Sequence, residues 1–131
     1  RLVKKYGSAQ VLFTDLDEMK EINDTYGHEA GDTALCAVAQ ILQDNCGDED
    51  FIMRYGGDEF VVIAVGTNEA LTDQILAAAD AWNESSGQPF RLGLSIGHIK
   101  VTKKEKRSLE DCIREADTLM YEIKTARQVG R

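Results

Sequence analysis

Proline is nearly absent from this chain: Pro89 is the only one in 131 residues. No proline-, glycine- or serine-rich tract marks an internal linker, and no repeat or low-complexity segment is visible, so residues 1–131 read as a single compact domain. No apolar run approaches the ~20 residues that a membrane-spanning helix needs, and the start lacks a secretory signal pattern. Cysteine is scarce as well. Cys36, Cys46 and Cys112 are odd in number, far apart and never in a Cys-x-x-Cys arrangement, which excludes a disulfide scaffold. Cys36 and Cys112 fall on apolar helix faces and are expected to be small buried hydrophobes in a reducing cytoplasm. Positive charge is what the first half lacks most. Residues 1–65 hold 5 Lys/Arg against 13 Asp/Glu, whereas the remainder holds 10 of each. That balance disfavours binding to a nucleic-acid backbone and is compatible with a divalent cation that would draw phosphates in. The chain opens on Arg1 with no initiator Met, so a fragment of a longer protein is expected.

What is present reads as alternating strands and helices. Gln10 to Leu16 is a buried strand ending in Asp15-Leu16-Asp17, and a short helix over Glu18 to Tyr26 stops at Gly27. Gly31-Asp32 opens a second helix whose Ala34, Leu35, Val38, Ile41 and Leu42 recur at helical spacing. The segments 51–55 and 60–65 are strands, and a third helix follows, capped by Thr67 or Asn68, with Leu71, Ile75, Ala78, Ala79 and Trp82 inward. Phe90 to Val101 alternates as a strand, with Gly97 marking a bulge where the parity of the apolar residues changes. A last helix over Ser108 to Arg127 carries Leu109, Cys112, Ile113, Ala116, Leu119, Met120 and Ile123 on its core side, with Lys124 on the rim. The order predicts an α+β fold: an antiparallel-rich central sheet with flanking helices on a βαββαβ, ferredoxin-like core.

Two glycines, Gly56-Gly57, join the strand before them to the apolar strand after them, which predicts a hairpin with a type I′ or II′ turn at positive φ. Asp58 and Glu59 follow at once, and a carboxylate leading into a buried strand is costly unless a cation or donor meets it. A purely structural role is also open, with Glu59 facing Arg54 as a cross-strand charge pair. The first and third strands of a βαββαβ sheet are central neighbours, so Asp15 and Asp17 are expected beside Asp58 and Glu59. Acids gathered in that way favour a hard, oxygen-seeking cation, Mg²⁺ or Mn²⁺, bridging to the phosphates of a nucleotide. The bland alternative is that Asp15 and Asp17 end a strand and favour the helix after it through its dipole.

The stretch Asp15-Leu16-Asp17-Glu18-Met19-Lys20-Glu21-Ile22-Asn23-Asp24-Thr25-Tyr26-Gly27-His28-Glu29-Ala30-Gly31-Asp32 resembles the D-x-D-x-F-K-x-I-N-D-x-x-G-H-x-x-G-D signature of GGDEF-domain diguanylate cyclases. Arg54-Tyr55-Gly56-Gly57-Asp58-Glu59-Phe60 repeats that family's R-Y-G-G-D-E-F signature, and Ser95-Ile96-Gly97 and Ala116-Asp117 through Lys124 are similar to its later landmarks. The resemblance implies a nucleotidyl cyclase-like fold and condensation of two GTP into cyclic di-GMP across a homodimer, as a bacterial second-messenger enzyme. It implies that Asp15, Asp58 and the carbonyl of Leu16 hold two divalent metals per GTP. Asp58 would help deprotonate the attacking hydroxyl, and Glu59 would be a further catalytic or site-organising acid. Gly56 and Gly57 would let the chain approach the α-phosphate. Lys20, Lys124 and the amides around Glu18 and Met19 would cradle the β- and γ-phosphates, and Asn23 and Asp32 would read the guanine edge. His28 is read as a packed or capping residue. An upstream sensory or membrane region is expected in the full-length protein.

The chain departs from that pattern in places. The product-binding R-x-x-D site of many members reads Gly47-Asp48-Glu49-Asp50 here, with Gly47 where the Arg belongs, so no inhibitory site is expected. The family's D-x-L-T-G-L-x-N-R opening is absent, Met19 replaces a Phe, and Gln128 stands where an Arg would follow Lys124, with Arg127 one place early. The rival readings are an inactive GTP-binding or interaction module, and an enzyme making a mixed guanine–adenine dinucleotide.

Overall fold

The structure is a computed structural model that describes residues 7–66, 68–102 and 104–129. Four strands and four helices run in the order β1 (Ser8–Leu16), α1 (Met19–Tyr26), α2 (His28–Asn45), β2 (Phe51–Arg54), β3 (Glu59–Val65), α3 (Leu71–Ser85), β4 (Leu94–Thr102) and α4 (Leu109–Val129). The strands form one antiparallel sheet in the order β2-β3-β1-β4, so β1 and β3 are the central neighbours that the βαββαβ reading predicts.

Both faces of the sheet are covered, and that explains the apolar pattern. Leu12 and Leu16 of β1, with Phe60, Val62 and Ala64 of β3, face the layer of α1, α2 and α3. The alternate residues Val11, Phe13, Val61 and Ile63 face α4, where Cys112, Ile113, Ala116 and Met120 meet them. Strands buried on both sides read as continuous apolar runs rather than as alternation. Full burial of one such Leu or Phe contributes roughly 1.5–3 kcal/mol.

Several expectations are corrected here. Gly97 is no bulge: it pairs in unbroken register with Phe13, and the parity switch arises because Leu94 and Ile96 face one layer while Ile99 and Val101 face the other. The glycine is needed because α4 lies directly on it, where a Cβ would run into the backbone of Ala116 and Met120. β4 starts at Leu94 rather than at Phe90, and α2 starts at His28, directly after Gly27 at φ 95°, rather than at Gly31. Thr67 lies outside the described residues; Asn68 is not the cap, which is Ala70 without a side-chain cap bond, although the Asn68 side chain accepts the Ala70 amide at 3.2 Å. Leu109 and Ile123 are exposed despite their place in the helical stripe, and Cys36 is exposed while Cys112 is buried. Burial, then the charge of Asp50, pushes the Cys46 thiol up to about 11. Among the described residues no helix is long and apolar enough to cross a membrane.

Candidate active site

β1 ends where β3 begins, and the ladder fixes what stands there. Asp15 is the register partner of Glu59 on β3 and of Ser95 on β4, and the Leu16 amide donates to the Asp58 carbonyl at 3.2 Å. The D-x-D and D-E acids therefore converge at one end of the sheet, as the strand order requires. Asp15 is 7% exposed and points to the α4 side. Its Oδ2 accepts from Lys124 Nζ at 2.7 Å, while its Oδ1 is buried with no partner among the described residues.

The charges at this end are strained by one another. Burial raises the Asp15 carboxyl above its ordinary range, Lys124 opposes that shift, and the charges of Asp58 and Asp17 add to it. Glu59 is raised by burial and then by Asp15, Asp117 and Asp58. Burial disfavours the charged Lys124, yet its bond to Asp15 and the surrounding acids outweigh that and raise it.

The glycine loop differs from the expected turn. Neither Gly56 nor Gly57 has a left-handed φ, and the connection spans Tyr55–Asp58, closed by the Tyr55 amide donating to the Glu59 carbonyl at 2.8 Å. Arg54 faces Phe60 rather than Glu59, and its guanidinium donates to the Gly57 carbonyl at 3.1 and 2.5 Å. A Cβ at Gly57 would meet no protein atom within 4 Å, so nothing within the fold itself demands glycine there.

Beside the acids opens a cavity of about 470 Å³ lined by Leu16, Glu18, Met19, Lys20, Glu21, Asp58 and Lys124. It gathers the two lysines and the start of α1, as the sequence suggests. Glu18 begins that helix at φ 59°, ψ 30°, the left-handed conformation that is uncommon outside glycine. It is the one non-glycine residue at positive φ among those described. The first N–H groups of a helix lack intrahelical partners, and its dipole favours negative charge at that end. Asn23 lies where α1 meets α2. A Cβ at Gly31 would strike the Asn23 side chain and the tip of Met19, so Gly31 makes room for the amide next to Asp32. Asp32 and His28 are both exposed.

A tie that the sequence did not reveal closes the far side. Asp17 Oδ1 accepts from Ser95 Oγ at 2.7 Å, and its Oδ2 accepts from Arg127 Nη1 at 3.0 Å. Arg127 Nη1 also donates to the Leu94 carbonyl at 2.5 Å, and the Asp17 amide donates to Gly93. Arg127 is thus engaged in holding α4 to β1 and β4. The side chain of Gln128 lies outside the described residues. Asp50, the remnant of the R-x-x-D pattern, accepts from the amides of Val65 and Gly47 with its two oxygens, so its carboxylate is committed to the loop.

Among the described residues no cluster of three or more His, Cys, Asp or Glu side chains is arranged to hold a metal ion. Asp15, Asp58 and the Leu16 carbonyl nevertheless form an all-oxygen donor set of the kind that Mg²⁺ and Mn²⁺ take, completed in such sites by phosphate oxygens and water. The buried, unpartnered Oδ1 of Asp15 fits a cation.

The sequence model of the GGDEF diguanylate cyclase domain matches residues 2–129. A protein of Streptomyces ambofaciens, described as an uncharacterized 19.3 kDa protein, is 35% identical over 93% of this chain and 67% of its own length. Diguanylate cyclase DgcS of Shewanella oneidensis is 33% identical over 96% of this chain, which spans 42% of that protein's length. The structure of a shortened TpbB from Pseudomonas aeruginosa comprising only the GGDEF domain superposes with a TM-score of 0.82 at 32% identity, covering 94% of this chain and 74% of that one. The fold is therefore the nucleotidyl cyclase-like fold of GGDEF domains, and the chain belongs to the GGDEF diguanylate cyclase family.

Proposed function

We propose that the chain condenses two GTP into cyclic di-GMP with release of two pyrophosphates, each domain of a homodimer holding one GTP. The supporting observation is that Asp15 and Glu59 pair on the last rung of the ladder beside Asp58, which lines a cavity together with Lys20 and Lys124. Asp15, Asp58 and the Leu16 carbonyl would hold the divalent ions. When bound, these ions supply neutralisation of the triphosphate and a lowered pKa for the 3′-hydroxyl.

The protein's own groups do the rest. Lys20 and Lys124, with the amides at the start of α1, bind the β- and γ-phosphates, and the open space over Gly57 admits the α-phosphate. Asn23 and Asp32 orient the guanine, an amide and a carboxylate facing its carbonyl and N–H groups. Asp58 takes the proton of the attacking hydroxyl, and Glu59 keeps the charge of Asp15 and Asp58 in place. Positioning and fixed charge provide most of the acceleration in phosphoryl transfer. The product needs two attacks, each 3′-hydroxyl on the α-phosphate of the other nucleotide, so the two sites must face one another. We place this domain in the cytoplasm, downstream of a sensory or membrane region.

Incubation with Mg²⁺ and GTP, ATP or both, followed by mass identification of products, tests the reading. Cyclic di-GMP from GTP alone, at a rate rising more steeply than protein concentration, is the expected result. A mixed dinucleotide would shift the substrate class. Bound but unconverted GTP from a demonstrably dimeric protein would favour the second reading, a nucleotide-binding module without turnover.

A further inference from the structure

We propose that Lys124 is the resident counterion of the carboxylate site. In the nucleotide-free protein its ammonium holds Asp15 and keeps a lone divalent cation out. It releases Asp15 only when a triphosphate offers it a new partner, so cation and nucleotide bind as a coupled pair. This deepens the GTP-binding reading above and rests on it.

The two cations at this end of the sheet are held very differently. Arg127 sits on Asp17, and the same nitrogen bonds the Leu94 carbonyl, while Asp17 spends its other oxygen on Ser95. Both oxygens of Asp17 are engaged in that cluster. Among the described residues Lys124 bonds Asp15 Oδ2 alone, at 2.7 Å, and the other oxygen of that carboxylate is buried without a partner there. Asp15 is therefore half satisfied, and its one cation is a compact charge on a flexible four-carbon stem.

Lys124 also lines the cavity with Lys20 and Asp58. Lys124 thus reaches from Asp15 to the wall of the space that a triphosphate would fill. A divalent ion seated on Asp15 while Lys124 stays would place two positive charges on one carboxylate. Moving Lys124 away without a replacement partner would leave its charge uncompensated in a partly buried wall, since its side chain is 23% exposed. A triphosphate removes both difficulties in one exchange: phosphate oxygens receive the ammonium, and Asp15 receives the ion. Coupling of this kind is reciprocal, so nucleotide tightens the ion by the same factor as the ion tightens nucleotide.

The experiment is a titration of Mn²⁺ followed by electron paramagnetic resonance, on wild type, Lys124→Met and Lys124→Gln, with and without 3′-deoxy-GTP, which cannot be cyclised. Circular dichroism establishes that each variant is folded; Lys124→Gln keeps an amide donor for Asp15 and provides the comparison if Lys124→Met does not fold. Without nucleotide, the neutral variants are expected to bind Mn²⁺ about tenfold or more tighter than wild type, inside the roughly 5–150-fold span of typical couplings. The nucleotide is expected to enhance Mn²⁺ binding less in the variants than in wild type. Equal Mn²⁺ affinity without nucleotide, or an equal enhancement with it, overturns the proposal. The Mn²⁺-only titration involves no turnover, so it can fail in a protein that makes cyclic di-GMP and succeed in one that does not.

Discussion

Gly97→Ala is the substitution whose outcome the structure predicts most sharply, because two effects of opposite sign meet there. Gly97 has an ordinary extended backbone, so alanine would narrow the unfolded ensemble and by itself stabilise by about 0.4–1 kcal/mol. Against that, the new methyl would lie well inside 3.0 Å of the Ala116 carbonyl oxygen and the Met120 amide nitrogen. These are backbone atoms of α4 and cannot rotate aside. Restoring a contact of ~3.5 Å requires the helix to retreat by about 1.2–1.4 Å. Overpacking of this kind costs roughly 1–3 kcal/mol, and immovable neighbours put it in the upper part of that range, for a net loss of about 2 kcal/mol. At roughly 3–5 °C per kcal/mol for a domain of this size, Tm falls by about 6–10 °C. The retreat also lengthens the reach that Lys124 needs to keep its 2.7 Å bond to Asp15. Urea unfolding with an unchanged m-value, beside a titration with 3′-deoxy-GTP and Mn²⁺, reads both effects. A midpoint equal to or above that of wild type would mean that α4 does not lie on β4 as described.

Gly31→Ala should separate binding from stability: the helix gains up to about 1 kcal/mol of propensity, while the methyl displaces Asn23 and weakens guanine nucleotide binding, so an unaltered nucleotide Kd would remove Asn23 from the site. Glu18→Gly should be more stable than Glu18→Ala by about 0.5–1 kcal/mol, since both lose the side chain and only glycine takes the left-handed conformation without steric cost; equal urea midpoints would contradict the backbone geometry. Glu59 has a raised folded pKa, so its favourable contribution is present while it is protonated and is lost as pH rises through that value. Glu59→Gln should therefore gain on wild type in cation-free thermal melts as pH moves from the carboxylate range to neutrality, and parallel curves would argue against the crowding of acids.

The strand order and the meeting of the acids were legible because they follow from local pattern plus one topological rule. Runs such as Phe60 to Val65 can only be buried strands, and a βαββαβ sequence places its first and third strands side by side. Where the reading failed, the missing information was long-range. Gly97 looked like a bulge because a parity change has two causes, and only the sheet's second covering layer tells them apart. Leu109 and Ile123 match the helical stripe in angle, but the stripe says nothing about how far the surface beneath extends. Gly56-Gly57 suggested a tight primed turn, whereas Arg54 reaches across to the Gly57 carbonyl and the connection is wider. The link of Asp17 to Ser95 and Arg127 spans 78 and 110 positions, beyond any local signal. The left-handed Glu18 carries no mark in composition at all.

The pairing of Asp15 with Glu59 on the last rung of the ladder makes the hairpin's length unforgiving. Removing or adding a single residue between Arg54 and Phe60 would offset β3 by one step and exchange its two sides. Phe60 would then lie against Lys124, and the glutamate would be driven in among the leucines beneath α1. Chemistry and packing at this edge of the molecule thus share one count of residues, and neither can drift without the other.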